Sequence, residues 1–497
     1  MGRAARHVPR FLRKAPRCHW HASARPSARQ AKPTESGKLP LGWGRFLVQS
    51  GAVPRPPWPR DGRIGRLDRV AESRDRCFRT TGEGAGAATR VTGPLRPASA
   101  EEVRAAVIEA AAAGTPLEIR GAGTKRAWGR PVQARTELAL DGLAGIVTYE
   151  PAELVLTVAA GTGLAEIEAA LAEQRQCLAF EPADYGALLG HEPGGQTIGG
   201  VLACNLSGPR RIKAGAARDH FLGFTAVSGR GEAFKAGGHV VKNVTGYDLC
   251  KLLAGSWGTL AVLTEVTVKV LPAPEKARTV LVYGLDDAAA VKLLGSALGM
   301  PHEVSGAAHL PARIAAASAV PYVRDASASV TALRVEGPGP SVEYRCAALR
   351  MLLSAHGPVE ELHSMNSRRL WAEIRDAALL ARPAERPVWR LSVPPASGAR
   401  VGMRLTAALG ADACYDWGDG LIWLAVPPSP NAGAAAIRAA ATEAGGHATL
   451  LRAPYDVRAA ADMVQPQPAP LAALQRRVKD AFDPAGILNP GRLYPGL

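Results

Sequence analysis

An α+β fold closed by a second, smaller α/β unit is predicted by three features of these 497 residues. Short apolar runs alternate with glycine pairs between Gly190 and Leu271. A period-two run, Val262, Thr264, Val266, Val268 and Val270, reads as a half-buried strand. Helical and strand patterns then succeed one another without the long βαβ series that a doubly wound parallel sheet needs.

Residues 1–90 form the first segment, an Arg-, Pro- and Gly-rich arm without apolar periodicity, expected to be a disordered extension that buries little. It holds twenty basic and six acidic residues, so +14 of the formal +16 lies there and the rest is near neutral. No basic stripe interleaved with aromatics follows, which argues against nucleic-acid binding. No apolar run reaches the length of a membrane span, so the expectation is a cytoplasmic protein that meets a membrane only through a partner.

Order is expected from residue 91. Ser99 and Glu102 make an S-x-x-E capping pattern, and Val103, Val107 and Ala111 give the following helix its apolar face up to Gly114. Pro116–Arg120 reads as a strand ending in the turn Gly121-Ala122-Gly123-Thr124-Lys125. Arg126 stands where a dinucleotide fingerprint needs its third glycine, and no Gly-Lys-[Ser/Thr] follows, so neither the Rossmann nor the Walker pattern is met. The turn is then either an anion nest of backbone N–H groups or an ordinary glycine turn. Leu154–Ala160 is a further strand, and Leu164, Ile167 and Leu171 face one side of a helix. Gly194–Gly195 and Gly199–Gly200 open a trough in which backbone can approach a large flat cofactor that a Cβ would block.

The first folded unit spans 91–272. Residues 273–455 change texture, with strands expected at Thr279–Tyr283, Ala332–Val335, Val388–Val393 and Leu421–Ala425 among helical stretches; this is a small α/β cap over an antiparallel sheet. Residues 456–497 close the chain with a helix over Leu471–Phe482 and a turn-dense tail. The seven cysteines form no C-x-x-C pair, which excludes a zinc ribbon and a ferredoxin-type cluster and fits a reducing compartment. Outside the arm no H-x-x-x-H or H-x-H pair exists, so no metal site is expected.

Taken in order, RGAGTK (120–125), PGGQTIGGVLACNLSGPRR (193–211), NVTGYDLCKLLAGSWGTLAVLTEVTVKVLP (243–272) and FDPAGILNPGR (482–492) resemble the FAD-binding oxidases with a vanillyl-alcohol-oxidase, or PCMH-type, flavin domain. KNVTGYD, SGPRR, GGHAT (445–449) and the short tail are most similar to the FAD-binding subunits of bacterial glycolate oxidases. The resemblance covers residues 91–497. It implies a two-subdomain FAD-binding domain followed by the cap, and FAD as cofactor. It assigns Arg120, Gly121, Ala122, Gly123, Thr124 and Lys125 to the pyrophosphate loop. Gly195, Thr197, Ile198, Gly199, Gly200, Asn205 and Gly208 would line the ribityl chain and isoalloxazine, Gly258 and Val262 the adenine end, and Asn489 would reach the flavin from the tail. Arg218 and Lys242 are either further site residues or surface ion pairs, and Asn205 and Asn489 either contacts or turn caps.

Relatives that attach FAD covalently use a histidine after the R-G-x-G loop. This chain has Thr124-Lys125, so the flavin is expected to be non-covalent. Relatives that oxidise 2-hydroxy acids directly carry a metal-binding histidine cluster near the end of the cap, where this chain offers only Gly446-His447-Ala448-Thr449. Arg390, His447 and Arg452 could supply a charge and a base, but their spacing does not set them together. The resemblance therefore implies one subunit of a glycolate (2-hydroxy acid) oxidising complex, working with a second FAD-containing subunit and an iron–sulfur subunit. The alternatives are a self-sufficient 2-hydroxy-acid or alcohol oxidoreductase and a non-catalytic assembly subunit.

Overall fold

The computed structural model describes residues 93–238 and 246–497; the arm over 1–90 and Lys242 lie outside them. The helix Ala100–Ala113 starts where Ser99 Oγ accepts the Glu102 N–H and Glu102 Oε2 accepts the Ala98 N–H. It ends at Gly114, whose φ of 60° few other residues adopt. Its buried face, Val103, Val107 and Ala110, packs on the parallel pair β1 (Leu117–Arg120) and β2 (Thr136–Ala139), together with Ile487 and Leu488 from the tail.

A five-stranded antiparallel sheet follows. It uses β3 (Ile146–Glu150), β4 (Val155–Ala159), β6 (Phe221–Ser228), β7 (Ala233–Gly237) and β8 (Ala261–Lys269), in the order β3-β4-β8-β6-β7. The short strands β5 (Gln176–Cys177) and β9 (Leu271–Pro272) pair beside it. The strand expected to be half-buried, β8, is buried along nearly its whole length. It is the central strand, with Val262 in the cluster under the first helix and Leu263 and Val266 in the main core. Burial on both faces is what a central strand experiences, whereas period-two alternation by itself suggests one wet face.

The second half is an eight-stranded sheet, antiparallel at every pairing, in the order β13-β10-β12-β11-β15-β16-β14-β17. Its strands are β10 (Lys276–Tyr283), β11 (Val304–Leu310), β12 (Val330–Gly337), β13 (Val359–Leu362), β14 (Val388–Ser392), β15 (Asp412–Asp416), β16 (Leu421–Ala425) and β17 (His447–Arg452). One continuous core joins the two halves, from Leu156 and Val201 to Trp389 and Ile422. A buried ion network reinforces the seam: Arg334 donates to both oxygens of Glu181 at 2.8 and 2.9 Å, and Arg210 bridges Glu181 and Glu336. The tail then returns to the first half, with Leu488 bridging Leu117 in parallel. Among the described residues no helix is long and apolar enough to cross a membrane.

Candidate cofactor site

A cavity of about 900 Å³, open mouth included, lies between the β1 turn, the helix Ile198–Ala203, the Trp257 turn and the tail. The sequence-assigned residues Arg120, Gly121, Ala122, Gly123, Thr124, Lys125, Thr197, Gly199, Gly200, Gly258 and Asn489 all line it. A strand with its turn, a helix, a second turn and the tail, separated by up to 370 residues, are thus brought to one cavity.

The glycine turn has the character of an anion nest. Gly123 has φ 82°, and among the described residues the N–H groups of Ala122, Gly123, Thr124 and Lys125 have no protein acceptor. The cations are unequal. Arg120 pairs with Glu137 at 2.9 Å, and Arg126 with Glu118 and Glu137 at 2.8 and 2.7 Å, so both are neutralised. Among the described residues neither Lys125 nor Arg492 has a carboxylate within 4.0 Å. Lys125 Nζ donates to Thr124 Oγ1 at 3.2 Å and Gln196 Oε1 at 3.1 Å, and burial pulls its pKa below the usual lysine value. Arg492 donates to the carbonyls of Lys125 and Arg130, and burial lowers its pKa to about 10. Open N–H groups with half-buried Lys125 and buried Arg492 in one cavity suit a diphosphate. The lining also holds apolar side chains, Ala203, Leu253, Trp257, Ala261 and Leu263, which suit a flat aromatic ring. The residues present therefore fit FAD.

Six assigned residues stand outside the lining. Ile198 and Val262 are fully buried in the apolar core, on the opposite side of their elements from Gly199, Gly200, Ala261 and Leu263. On a strand a one-residue step turns a side chain to the other face. Asn205 has φ 51° and its Oδ1 accepts the backbone N–H of Arg218, whose own side chain is at the exposed surface. Gly208 lets the chain pass Glu181, whose carbonyl oxygen would stand 2.7 Å from a Cβ. Gly195 is exposed at the rim, its Cβ position 3.5 Å from Thr124 Cγ2. Asn489 lines the cavity, but its amide is taken up by backbone: Oδ1 accepts from Ile119 at 2.7 Å, and Nδ2 donates to Trp257 O at 2.8 Å.

Sequence reasoning did not single out Glu118, Ile119, Cys204, Ser256, Trp257 or Arg492 as lining residues. The arginine of N-P-G-R carried a signal, a lone cation closing a turn-dense tail; the others are legible only in the fold. Of the three side chains that spacing left apart, Arg452 is structural, donating to five backbone carbonyls: Arg386, Leu188, Ala381, Leu380 and Pro383. Arg390 and His447, by contrast, come together on the cap sheet, on adjoining strands β14 and β17. Among the described residues no group of three His, Cys, Asp or Glu is placed to hold a metal.

Comparison with known proteins agrees with this geometry. Residues 92–237 match the family "FAD binding domain", and residues 462–493 match "FAD linked oxidases, C-terminal domain". The fold is that of 4-ethylphenol oxidase from Gulosibacter chungangensis: TM-score 0.61 at 16% identity, over 81% of this chain and 89% of that one. This is the PCMH-type α+β fold, shared with p-cresol methylhydroxylase. Glycolate oxidase subunit GlcD of Bacillus subtilis (strain 168) is 30% identical over 39% of this chain and 40% of its own length. Glycolate oxidase subunit GlcE of Escherichia coli (strain K12) is 35% identical over 77% of this chain and 94% of its own length. With that subunit matched almost end to end, the chain belongs to the glycolate oxidase subunit GlcE family of FAD-linked oxidoreductases.

Proposed function

We propose that this chain is the FAD-carrying subunit of a glycolate- or similar 2-hydroxy-acid-oxidising complex, with FAD held non-covalently. The observation that carries the reading is the cavity in which an open N–H nest, two cations and apolar side chains converge. Gly121 to Lys125 hold the diphosphate through backbone N–H groups, with Lys125 and Arg492 supplying charge. Gly199 and Gly200 give the flat ring access to backbone, and Trp257 and Leu263 exclude water from it. Bound FAD supplies the two-electron acceptance. The organisation is read as an arm (1–90), a flavin domain (91–272), a cap (273–455) and a returning tail (456–497).

No histidine occupies position 124 or 125, so no side chain there can take up the flavin covalently. Acid precipitation of the pure protein is expected to leave the yellow colour in the supernatant; colour retained in the pellet would show a covalent link.

The names of the relatives, both called subunits, support an assembly. We read the partners as a second flavin subunit and an iron–sulfur subunit, and the location as cytoplasmic, with any membrane contact made through the complex. Among the described residues the free cysteines Cys177, Cys204, Cys250, Cys346 and Cys414 form no metal-holding group, so electrons have no cluster through which to leave. The lone, FAD-loaded chain is expected to give negligible glycolate-dependent dye reduction, and co-expression with both partners to restore it with co-elution of all three. Steady turnover by the pure chain would instead establish a self-sufficient enzyme.

A further inference from the structure

Two arginines from different halves of the molecule reach one indole. Arg211, at the end of S-G-P-R-R in the first half, places Cζ 4.4 Å from the Trp417 ring centroid. Arg390, on β14 of the cap sheet, places Cζ 4.9 Å from the same ring. Stacking engages the guanidinium faces and leaves the N–H edges to find acceptors. Among the described residues neither arginine has a carboxylate within 4.0 Å, and Arg390 Nε is buried with no hydrogen-bond partner. Several interior arginines are paired, Arg210 and Arg334 with Glu181 and Glu336, Arg375 with Asp376 and Arg386 with Asp412, whereas Arg438 and Arg458 share with Arg390 a buried Nε that lacks a partner.

Two acids act on the pair from beyond ion-pair distance, Asp219 on Arg211 and Asp416 on Arg390. Asp416, the acid that Arg390 influences, accepts from the Trp417 N–H at 2.7 Å and is held up at about 7 by burial. His447 starts β17 opposite Ser392, two residues along β14 from Arg390, and so shares its face of the sheet. Partial desolvation of the ring first, then the two arginines, push its imidazole below the usual histidine pKa, while the residue as a whole reaches the surface beside them. Trp417 itself is held at a cost. Trp417, Gly418 and Asp419 lie in succession in the left-handed region, at φ 57°, 60° and 77°, and strain of this kind costs on the order of 1–3 kcal/mol per non-glycine residue. The indole Nε1 donates to Gly208 O at 3.1 Å, tying the turn to the flavin half.

An unbroken aromatic layer connects this place to the cavity. Trp257 in the cavity wall contacts Trp128 (4.4 Å), Trp128 contacts Tyr185 (5.6 Å), and Tyr185 contacts Trp423 (5.7 Å), the cross-strand neighbour of Arg390. We propose that Arg211 and Arg390, bracketing Trp417, form a subsite for a small organic carboxylate, entered from solvent beside His447, so that this chain grips an acid itself. A carboxylate accepts from both guanidinium edges, relieves the repulsion between two like charges, and gives Arg390 Nε the acceptor it lacks. Calling that acid a substrate rests on the FAD-dependent function proposed above; the subsite itself does not.

Isothermal titration of the FAD-loaded full chain with glycolate, kept anaerobic, tests this directly, with inorganic sulfate as the control anion. Saturable 1:1 binding of glycolate is expected, weakened at least tenfold in Arg390→Met and in Arg211→Met, with Arg390→Lys recovering part of the loss. Circular dichroism and flavin content are expected to stay as in the parent. Should Arg390→Met not fold, Arg211→Met decides alone. No saturable binding by the parent, unchanged affinity in the folded variants, or sulfate binding as tight as glycolate would overturn the subsite. A chain that purifies without FAD would overturn the proposed function, while the same titration on that preparation still reports on the arginines.

Discussion

Gly200→Val is expected to yield a folded protein that purifies without flavin. A Cβ at Gly200 would find no protein atom closer than 3.4 Å, the nearest being Thr197 Oγ1 and then Lys125 Nζ at 3.9 Å. The protein therefore has room for the substitution, and the added branches project into the cavity that Gly200 lines. The expected loss is about 100-fold or more in FAD affinity, or roughly 2.7 kcal/mol, with thermal stability of the apoprotein preserved. Gly161→Val is the contrasting control. Its Cβ would overlap the backbone carbonyls of Leu140 and Leu143, so it is expected to unfold the domain. The flavin absorbance-to-protein ratio after desalting, alongside a thermal melt, separates the two. Full flavin occupancy in Gly200→Val would remove the ring from this wall.

Lys479→Met is expected to carry the largest stability cost in the tail. Lys479 is only 4% exposed, and its Nζ donates to Asp483 Oδ2 at 2.6 Å, Thr259 O at 2.7 Å and Leu488 O at 2.9 Å. Asp483, 1% exposed, in turn accepts the N–H groups of Ile487 and Leu488. Removing the ammonium leaves a buried carboxylate without its counter-charge, and breaking such a pair costs about 3–5 kcal/mol. Adding Asp483→Asn should recover part of it. A melting temperature within about 1 °C of the parent would contradict the assignment.

The sequence spoke most clearly where backbone does the binding. Gly121, Gly123 and Gly200 are visible as letters because a nest and a close approach require glycine, and their clustering marked the cavity wall. The run Val262–Val270 identified a strand but not its facing. Period two says that neighbours alternate and is silent on which set meets the cofactor; the resemblance points to Val262, whereas Ala261 and Leu263 line the cavity. Strand β15, Asp-Ala-Cys-Tyr-Asp, was hidden because acids at both ends look like loop, although Asp416 is buried. Strand β17 was hidden behind Gly445-Gly446, which read as a turn. The joining of Arg211 to Arg390 depends on how a loop in one half meets a strand in the other. Nothing local in either stretch encodes that meeting.

The tail carries a consequence for biosynthesis. Asn489 and Arg492 complete a wall begun at Ile119 and Lys125, and the Asn489–Ile119 link spans 370 residues of chain. At about 5–20 residues per second, the ribosome takes on the order of 20–75 s to travel from one side of that wall to the other. Throughout that interval the β1 turn stands without the strap that fixes it, and Leu117 lacks the bridging partner Leu488. Capture of the cofactor is thereby deferred until Asn489 and Arg492 have emerged, so a polypeptide cut short before residue 488 should accumulate as colourless, protease-sensitive material rather than as a partly active flavoprotein.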